Sequence, residues 1–203
     1  ELWHDQKSAF DHEICAGLNR VYFHTFTCSP AEQGIPGQEY FAGTHVNPRV
    51  TWWSKSAPFI DYMHRVQMLA QEGTFVADVL YYYGDHVPNV YPFKHSDMPG
   101  AMFGFDYDVT DENILMKLGV EDGDIVVPGG RRYKVLVLPD HRVLSLPVLK
   151  KLEMLVKEGA SVLGPKPQKA VSLSGGEKGV AEFKELADLL WGTTTGTTGQ
   201  NQY

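Results

Sequence analysis

Apolar residues recur with the 3.6-residue period of an amphipathic helix in several segments of the chain. The clearest pattern covers 57–72, APFIDYMHRVQMLAQE, and ends at the stop signal Gly73. The positions that share its apolar face are Phe59, Ile60, Met63, Val66, Gln67 and Ala70. Further helices are predicted over 7–16, which ends at Gly17, from the cap Thr110 to Leu118, over Leu146–Glu158 and over Val180–Trp191. In Leu146–Glu158, Ser145 is the predicted N-cap, and Leu149, Leu152, Leu155 and Val156 share one face.

Runs that are almost continuously apolar or β-branched predict strands between these helices. The predicted strands are Arg20–Thr25, Phe75–Tyr83, Tyr133–Leu138 and the run ASVLG at 160–164. A small hairpin, EDGDIVVPGGRRYKV, leads into the strand Tyr133–Leu138. The last two strands flank the helix Leu146–Glu158, so they should be parallel with a right-handed crossover. Helices that alternate with strands in this way indicate an α/β fold.

Two long irregular stretches interrupt the pattern, at 26–51 and at 84–108. Loops of this length in a compact domain are usually functional or disordered, and the first is too aromatic for a disordered linker. We place a domain boundary near Ala57. The predicted division is 1–56, then a smaller α/β domain at 57–192, then a flexible Gly/Thr-rich tail at 193–203.

Composition restricts the class of protein. The chain has 203 residues, of which 43% are hydrophobic, and a net charge of −7. The negative charge argues against a nucleic-acid partner, and no stretch of apolar residues is long enough to span a membrane. The two cysteines, Cys15 and Cys28, form neither a disulfide framework nor a metal-ligand spacing. We expect two buried thiols, with a single bridge as the less favoured alternative.

Common catalytic motifs are missing from the sequence. The segment GPKPQKAVSLSGGEKG contains glycines and lysines but neither GxGxxG nor GxxxxGK[ST]. A nucleotide-binding doubly wound domain is therefore a weak interpretation. Glu13, Glu39 and Asp78 have no visible carboxylate partner, although glycoside hydrolysis usually needs two carboxylates. No cofactor is evident from the residues.

Polar and aromatic residues gather where the predicted strands end. In NRVYFHTFTCSP, Asn19 and His24 flank a strand whose carboxyl end is the usual ligand position of α/β folds. The interpretations of His24 as a structural residue and as a site residue are equally supported. In GTHVNPRVTWW, the candidates are His45, Asn47, Trp52 and Trp53. Donors and acceptors beside flat apolar rings suit sugars, and we expect one tryptophan in the core and the other in a pocket.

A second polar cluster follows the strand Phe75–Tyr83. Asp85, His86 and Asn89 lie in YYYGDHVPNV, just past the strand end. These residues are either turn formers or the rim of a pocket, and we favour the rim. Asp85 and His86 therefore join the candidate substrate-binding residues.

Five blocks together resemble glycoside hydrolase family 106, the α-L-rhamnosidases and related secreted hydrolases. The resemblance covers about 3–191, and the order and spacing of the blocks make it specific. The blocks are AGLNRVYFHTFTCSP, PGQEYFAGTHVNPRVTWW, QEGTFVADVLYYYGDHVPN, FGFDYDVTDENIL and YKVLVLPDHRVLSLPVLKKLEMLVKEGASVLGPKP.

The resemblance implies a particular architecture and site. The family has a (β/α)8 barrel followed by an α/β domain of the glutamine-amidotransferase type, so 1–56 would be the last part of the barrel. The following domain would be a doubly wound, mostly parallel α/β domain. His24, His45, Asn47 and the tryptophans would then line a sugar pocket at the mouth of the barrel. No cysteine lies after Cys28, so the amidotransferase nucleophile is missing.

The resemblance also implies an activity that the chain does not complete. It implies hydrolysis with inversion of configuration by two carboxylates, aided by calcium. The two carboxylates are expected upstream of this chain. The catalytic residues and the metal ligands therefore stay unassigned. The expected partner is a rhamnose-containing oligo- or polysaccharide in the periplasm or outside the cell. We interpret the chain as a fragment, inactive alone, of an α-L-rhamnosidase that acts on plant or algal polysaccharide. The alternative is a non-catalytic carbohydrate-binding or scaffold α/β module.

Overall fold

A computed structural model describes residues 3–41, 46–89, 104–172 and 175–192. The chain divides into two compact units, Glu1–Thr74 and Phe75–Tyr203, called unit 1 and unit 2. The division lies later than the expected boundary near Ala57. The reason is that helix α2 (Ala57–Gln71) contacts the first helix of the chain and a short 3-10 helix, both in unit 1. The tail 193–203 and its predicted flexibility lie outside the described residues.

Unit 1 is built on two helices that pack against each other. Helix α1 (Trp3–Cys15) contacts α2 through Phe10 and Tyr62, whose rings meet edge-to-face at 5.9 Å between centroids. The Tyr62 hydroxyl donates to Asp11 Oδ1 at 2.6 Å. Two short 3-10 helices, Ala31–Gln33 and Trp53–Lys55, complete the regular structure of the described residues.

The predicted strand Arg20–Thr25 is wrong. Among the described residues, the only β-contact near it is an isolated parallel bridge between Phe26 and Val46. The backbone finds partners in glutamine side chains of α2 instead. The Val21 amide donates to Gln67 Oε1 at 2.6 Å, and Gln71 Nε2 donates to the Asn19 carbonyl at 2.9 Å. A β-rich sequence forms a strand only when a neighbouring strand supplies its hydrogen bonds.

Helix α2 has the predicted span and largely the predicted inner face. Met63 is buried, and Phe59, Ile60, Val66 and Gln67 are partly buried, whereas Ala70 is exposed. Met68 and Leu69, which lie off that face, are exposed. The expectation of buried thiols is wrong, since Cys15 and Cys28 are both free and exposed. Cys15 lies on α1, where Phe10 is the buried side chain among those described, so the helix face that carries Cys15 is not packed.

Unit 2 contains an all-parallel sheet of four strands. Its strands are β1 (Val79–Tyr82), β2 (Tyr107–Thr110), β6 (Val135–Val137) and β8 (Val162–Leu163), in the spatial order β2-β1-β6-β8. Val79 pairs with Tyr107 on one side and Val135 on the other. All four residues of β1 are buried, as the continuous apolar run predicts.

Smaller sheets accompany the main one. The antiparallel set comprises β3 (Gly119–Glu121), β4 (Asp124–Val126) and β5 (Arg132–Tyr133), which confirms the predicted hairpin. A parallel pair comprises β7 (Val143–Leu144) and β9 (Lys169–Ala170).

The described residues of unit 2 form three helices, which pack on one face of the main sheet. They are α3 (Glu112–Leu115), α4 (Leu146–Lys157) and α5 (Gly176–Trp191). Leu149, Leu152 and Leu155 of α4 are fully buried in the same cluster as Leu80 and Leu136 of the sheet. Val79, Tyr81 and Val137 form a separate cluster on the alternate side-chain positions. The parallel βαβ arrangement of β6, α4 and β8 is confirmed, whereas the doubly wound layering and the barrel stay predictions.

Local signals near α3 and α5 were misinterpreted. Thr110 is the last residue of β2, and the N-cap of α3 is Asp111, whose Oδ1 accepts from the Ile114 amide at 3.0 Å. Helix α5 begins at Gly176, four residues before the predicted start. The buried Gly179 is thus part of the helix rather than of a loop. No helix in the described part of the chain is long and apolar enough to cross a membrane.

The burial of α4 predicts a large difference between two of its residues. Leu152→Ala should lower the free energy of unfolding by about 2–5 kcal/mol, because it leaves a cavity in the core. Met154→Ala, on the same helix, is the control: Met154 is 51% exposed, so its loss should cost less than about 0.5–1 kcal/mol. Urea unfolding of both variants measures the difference, and equal destabilisation would contradict the assigned core.

Candidate functional site

Unit 1 contains a cavity of about 520 Å³ with an aromatic wall. It forms where the segment that carries Phe23 and Phe26 meets Val46, the 3-10 helix Trp53–Lys55 and the first turns of α2. Its lining residues are Phe23, Phe26, Val46, Trp53, Ser54, Ser56, Ala57, Ile60 and Asp61. The parallel bridge from Phe26 to Val46 brings the two chain segments of the wall together.

The aromatic rings of this cavity are available for contact. Phe26 is 51% exposed, and its ring meets that of Trp53 edge-to-face at 5.6 Å between centroids. The Trp53 ring lies 6.4 Å from that of Trp52 at an angle of 45°. Trp53 therefore lines the cavity, as expected for one of the two tryptophans. Trp52 is half-buried rather than part of the core.

Polar groups in the unit 1 cavity come from the start of α2. Ser56 is a buried polar residue, and Asp61 brings a carboxylate one turn along the helix. No lysine or arginine is among the described lining residues. The cavity thus combines flat apolar surface with hydroxyl and carboxylate groups, a combination that binds neutral hydroxylated rings.

The other predicted residues of unit 1 lie away from this cavity wall. Asn19 is exposed and uses its backbone carbonyl to accept from Gln71, and His24 is exposed and stacks on Tyr40 at 5.2 Å between centroids. Asn47 is buried, and its Oδ1 accepts from the Arg49 amide at 2.8 Å, so its side chain holds a turn. His45 lies outside the described residues.

Asp85 and His86 line a second cavity, in unit 2. It has a volume of about 550 Å³ and lies at the carboxyl end of β1. Its lining residues are Tyr82, Tyr83, Gly84, Asp85, His86, Val87, Asn89, Asp111, Glu112, Ser145 and Val171. No lining residue is shared with the unit 1 cavity, so the predicted site residues fall into two separate sets.

Asp85 connects strand β1 to helix α4 at this end of the sheet. Its Oδ2 accepts from the Ser145 amide at 2.6 Å, at the N-cap of α4, and its Oδ1 accepts from the Tyr82 hydroxyl. Burial raises the pKa of Tyr82 far above its ordinary value, and the hydrogen bond to Asp85 raises it further. Tyr82 therefore stays protonated and remains the donor throughout the physiological range.

His86 is paired with a histidine from the neighbouring strand end. Its ring lies 3.4 Å from the ring of His141 between centroids, at an interplanar angle of 35°. The Nδ1 atom of His86 is buried and has no hydrogen-bond partner among the described residues. Burial lowers the pKa of His86 below 6.5 and the positive charge of His141 lowers it further, while Asp85 opposes both effects.

Several residues in or beside these cavities were not predicted, although the sequence contains a signal for one of them, His141, whose ring contacts that of the lining residue His86. His141 follows the strand Tyr133–Leu138 just as His86 follows Phe75–Tyr83, and the carboxyl ends of parallel neighbours meet at one sheet edge. Phe26 and Asp61 carry no comparable signal. Their proximity depends on the path of an irregular segment across α2.

Metal binding has no support in the described residues. They contain no group of three His, Cys, Asp or Glu side chains that could hold a metal ion. Calcium requires six to eight oxygen ligands, and the described carboxylates do not provide such a set. We therefore assign no step to calcium.

Comparison with known proteins identifies the chain first as part of a carbohydrate-cleaving class, the glycoside hydrolases. A sequence model of glycoside hydrolase family 106, described as alpha-L-rhamnosidase, matches residues 3–203. The chain belongs to this family. The resemblance inferred from the five sequence blocks is thereby confirmed at the level of the family.

Two similar proteins extend the comparison. A protein of Formosa agariphila named "Putative beta-glucuronidase" is 39% identical over 186 residues, which cover 92% of this chain and 16% of that protein. A solved rhamnosidase structure from Novosphingobium sp. PP1Y has a TM-score of 0.76 and 31% identity, and covers 95% of this chain and 19% of its own. The chain thus spans less than one fifth of either relative. Its mixed α/β fold with a parallel sheet is similar to that of the rhamnosidase structure.

The lowered pKa of His86 sets the direction of a pH effect on stability. The unfolded chain takes up the histidine proton near pH 6.5, whereas the folded chain does so only at lower pH. Between these two values the unfolded state binds more protons, so acidification through this window destabilises the fold. The effect disappears above the ordinary pKa, where His86 is neutral in both states.

We expect His86→Gln to weaken this pH dependence. The free energy of unfolding, measured by urea titration between about pH 7 and about pH 5, should fall less steeply in the variant than in the unchanged chain. His64→Gln, an exposed site on α2, is the matched control and should keep the original slope. In NMR titrations, His141→Gln should raise the pKa of His86, and an unchanged pKa would show that the ring pair does not form.

Proposed function

We propose that this chain forms part of an inverting α-L-rhamnosidase that acts on plant or algal polysaccharide. Unit 1 would contribute a wall of the sugar pocket, and unit 2 would be an accessory domain. The observation that carries the proposal is the cavity in which Trp53 and Phe26 face the same space as Ser56 and Asp61, in a chain of family 106. Because the chain spans a small part of its relatives, hydrolysis is proposed for a full-length protein that contains it.

The lining of the unit 1 cavity favours a deoxy sugar over a uronic acid. Rhamnose carries a methyl group that can pack against Phe23, Ile60 or Val46, and its hydroxyls can bond to Ser56 and Asp61. A glucuronate ring would place its carboxylate in a cavity with Asp61 and no described lysine or arginine. Desolvation of an unpaired carboxylate beside a like charge is unfavourable. This supports rhamnose, although one relative is named for glucuronide cleavage.

The catalytic pair is proposed to lie outside this chain. Inversion uses a general acid and a general base about 6.5–9.5 Å apart, with room for a water molecule. Asp61 is the only carboxylate among the described residues that line the unit 1 cavity. We assign it to sugar binding, and the two reacting carboxylates to earlier barrel strands, with the chain 1–56 as the last part of the (β/α)8 barrel. The isolated chain would then be inactive.

Unit 2 is proposed to be a glutamine-amidotransferase-like domain without amidotransferase chemistry. The spatial order of its parallel strands is β2-β1-β6-β8. The chain therefore adds β2 on one side of β1 and the later strands on the other side, which is the strand order of doubly wound sheets. The sequence has no cysteine after Cys28, so no thiol nucleophile is present in unit 2. The full-length protein would act in the periplasm or outside the cell, where such polysaccharides are met.

One observation favours a second function, a non-catalytic carbohydrate-binding module. Every described residue that lines the unit 1 cavity belongs to unit 1. If the chain binds rhamnose oligosaccharides alone while the full-length protein cleaves no rhamnoside, binding would be its role.

Trp53 provides the direct test of the proposed pocket. In a full-length family member that carries this chain, Trp53→Ala should lower kcat/KM for an aryl α-L-rhamnoside about tenfold, because stacking contributes about 0.5–1.5 kcal/mol beyond simple burial. Trp52→Ala is the control, since Trp52 is a neighbouring, half-buried tryptophan that does not line the cavity. An aryl β-glucuronide is assayed beside the rhamnoside.

Three results would contradict the proposal. The substrate class is wrong if the folded, full-length protein cleaves the glucuronide but not the rhamnoside. The pocket is wrongly placed if Trp52→Ala and Trp53→Ala have equal effects. The fragment interpretation fails if the 203-residue chain alone hydrolyses the rhamnoside.

A further inference from the structure

We propose that the unit 2 cavity is a second saccharide-binding site, which takes a neutral sugar unit of the polysaccharide. The cavity is lined by its own set of residues and shares none with the aromatic cavity of unit 1. The inference does not depend on which bond the full-length protein cleaves. It depends on the position and charge of the residues that line the unit 2 cavity and on the hydrogen bonds that they already make.

The position of the cavity is one at which parallel sheets bind ligands. In the order β2-β1-β6-β8, the chain places β2 on one side of β1 and the later strands on the other. Loops leaving the carboxyl ends of β1 and β6 therefore diverge and open a crevice. His86, which follows β1, and Ser145, which lies on the connection from β6 to α4, both line the cavity. The volume of about 550 Å³ is within the range of small-molecule sites.

The charge of the cavity excludes anionic ligands. Asp85, Asp111 and Glu112 all line it, and the described lining contains no lysine or arginine. A phosphate or carboxylate ligand would meet three carboxylates without a compensating cation. This argues against nucleotides, phosphosugars and uronic acids at this place.

The hydrogen bonds already made in the cavity argue against direct coordination of a metal cation. Asp85 uses both oxygens, for the Ser145 amide and the Tyr82 hydroxyl. Asp111 also uses both, for the Ile114 amide and for Asn113 Nδ2. Glu112 is the remaining carboxylate of the described lining, and one exposed carboxylate is a weak cation site. The same carboxylate is a good acceptor for sugar hydroxyls.

Apolar side chains supply the complementary surface. Val87 is 93% exposed and Val171 is 46% exposed, and both line the cavity beside the ring of Tyr83. The C–H face of a pyranose can cover these groups while its hydroxyls donate to Glu112. The buried, unpartnered Nδ1 of His86 is a further polar atom beside the cavity, and a ring adjustment on binding would allow a hydroxyl to satisfy it.

The test is an NMR titration of the 203-residue chain with three probes. They are a neutral rhamnose oligosaccharide, digalacturonate as an anion and calcium chloride as a source of a metal cation. The amides of Tyr83–Val87, Asn89 and Ser145 report on unit 2, and those of Phe23–Thr27 report on unit 1. We expect the neutral probe to shift the unit 2 amides in the millimolar range, with the two charged probes binding more weakly.

Substitutions of Glu112 test whether the neutral probe binds in the unit 2 cavity. Glu112→Gln should weaken the neutral probe about tenfold at unit 2, because it removes a charge-assisted acceptor. Glu112→Lys should favour digalacturonate instead. The matched control is Glu177→Gln, an exposed glutamate in the first turn of α5, and it should change neither response.

The outcomes separate this inference from the proposed function. Unit 2 amides that do not move with the neutral probe would overturn the inference, as would tighter binding of digalacturonate or calcium to the unchanged chain. Equal responses in Glu112→Gln and Glu177→Gln would also overturn it. Loss of the unit 1 response alone, with the unit 2 response intact, would count against the proposed pocket of unit 1 and leave the second site standing.

Discussion

The arrangement of unit 2 depends on the hydrogen bonds that the carboxylate of Asp85 accepts. This carboxylate ties the end of the central strand β1 to the N-cap of α4 by accepting from the Ser145 amide, and it fixes the Tyr82 hydroxyl at the same time. Helix α4 carries Leu149, Leu152 and Leu155, which are fully buried against the sheet. One polar contact thus sets where a largely apolar helix begins. Burial drives the packing, and the carboxylate selects its position.

This constraint also shapes the cavity beside it. Because Asp85 is committed to internal donors, the carboxylate of the described lining that is left for a ligand is Glu112, further out on the rim. The paired rings of His86 and His141 connect the loops of two adjacent strands. A crevice with a fixed floor and exposed valines suits a weak, reversible contact with a neutral polymer. Such a contact would add avidity to any tighter sugar site on the same chain.

In unit 1, the backbone groups of an irregular segment need hydrogen-bond partners. Side chains of Gln67 and Gln71 on α2 provide the partners that a neighbouring strand would otherwise supply to Asn19 and Val21. This leaves Phe23 and Phe26 facing a cavity instead of a sheet neighbour. The aromatic wall therefore depends on two glutamines that no sugar-binding pattern would single out.

The sequence by itself determined the elements whose signals are local or strongly periodic. The 3.6-residue period predicted α4 and its buried leucines, Ser145 marked its cap, and the continuous apolar run predicted the buried parallel strand β1. Family membership also followed from the order of short blocks. Only the tertiary structure decided the features that depend on distant partners. The run Arg20–Thr25 has strand-like residues but no strand beside it, and β2 is a strand because β1 pairs with it. Of the predicted site residues, Trp53 lines the cavity of unit 1, Asp85 and His86 line that of unit 2, and the other described ones line neither. The sequence shows the chemistry of each residue, whereas the packing of distant segments decides which residues lie together.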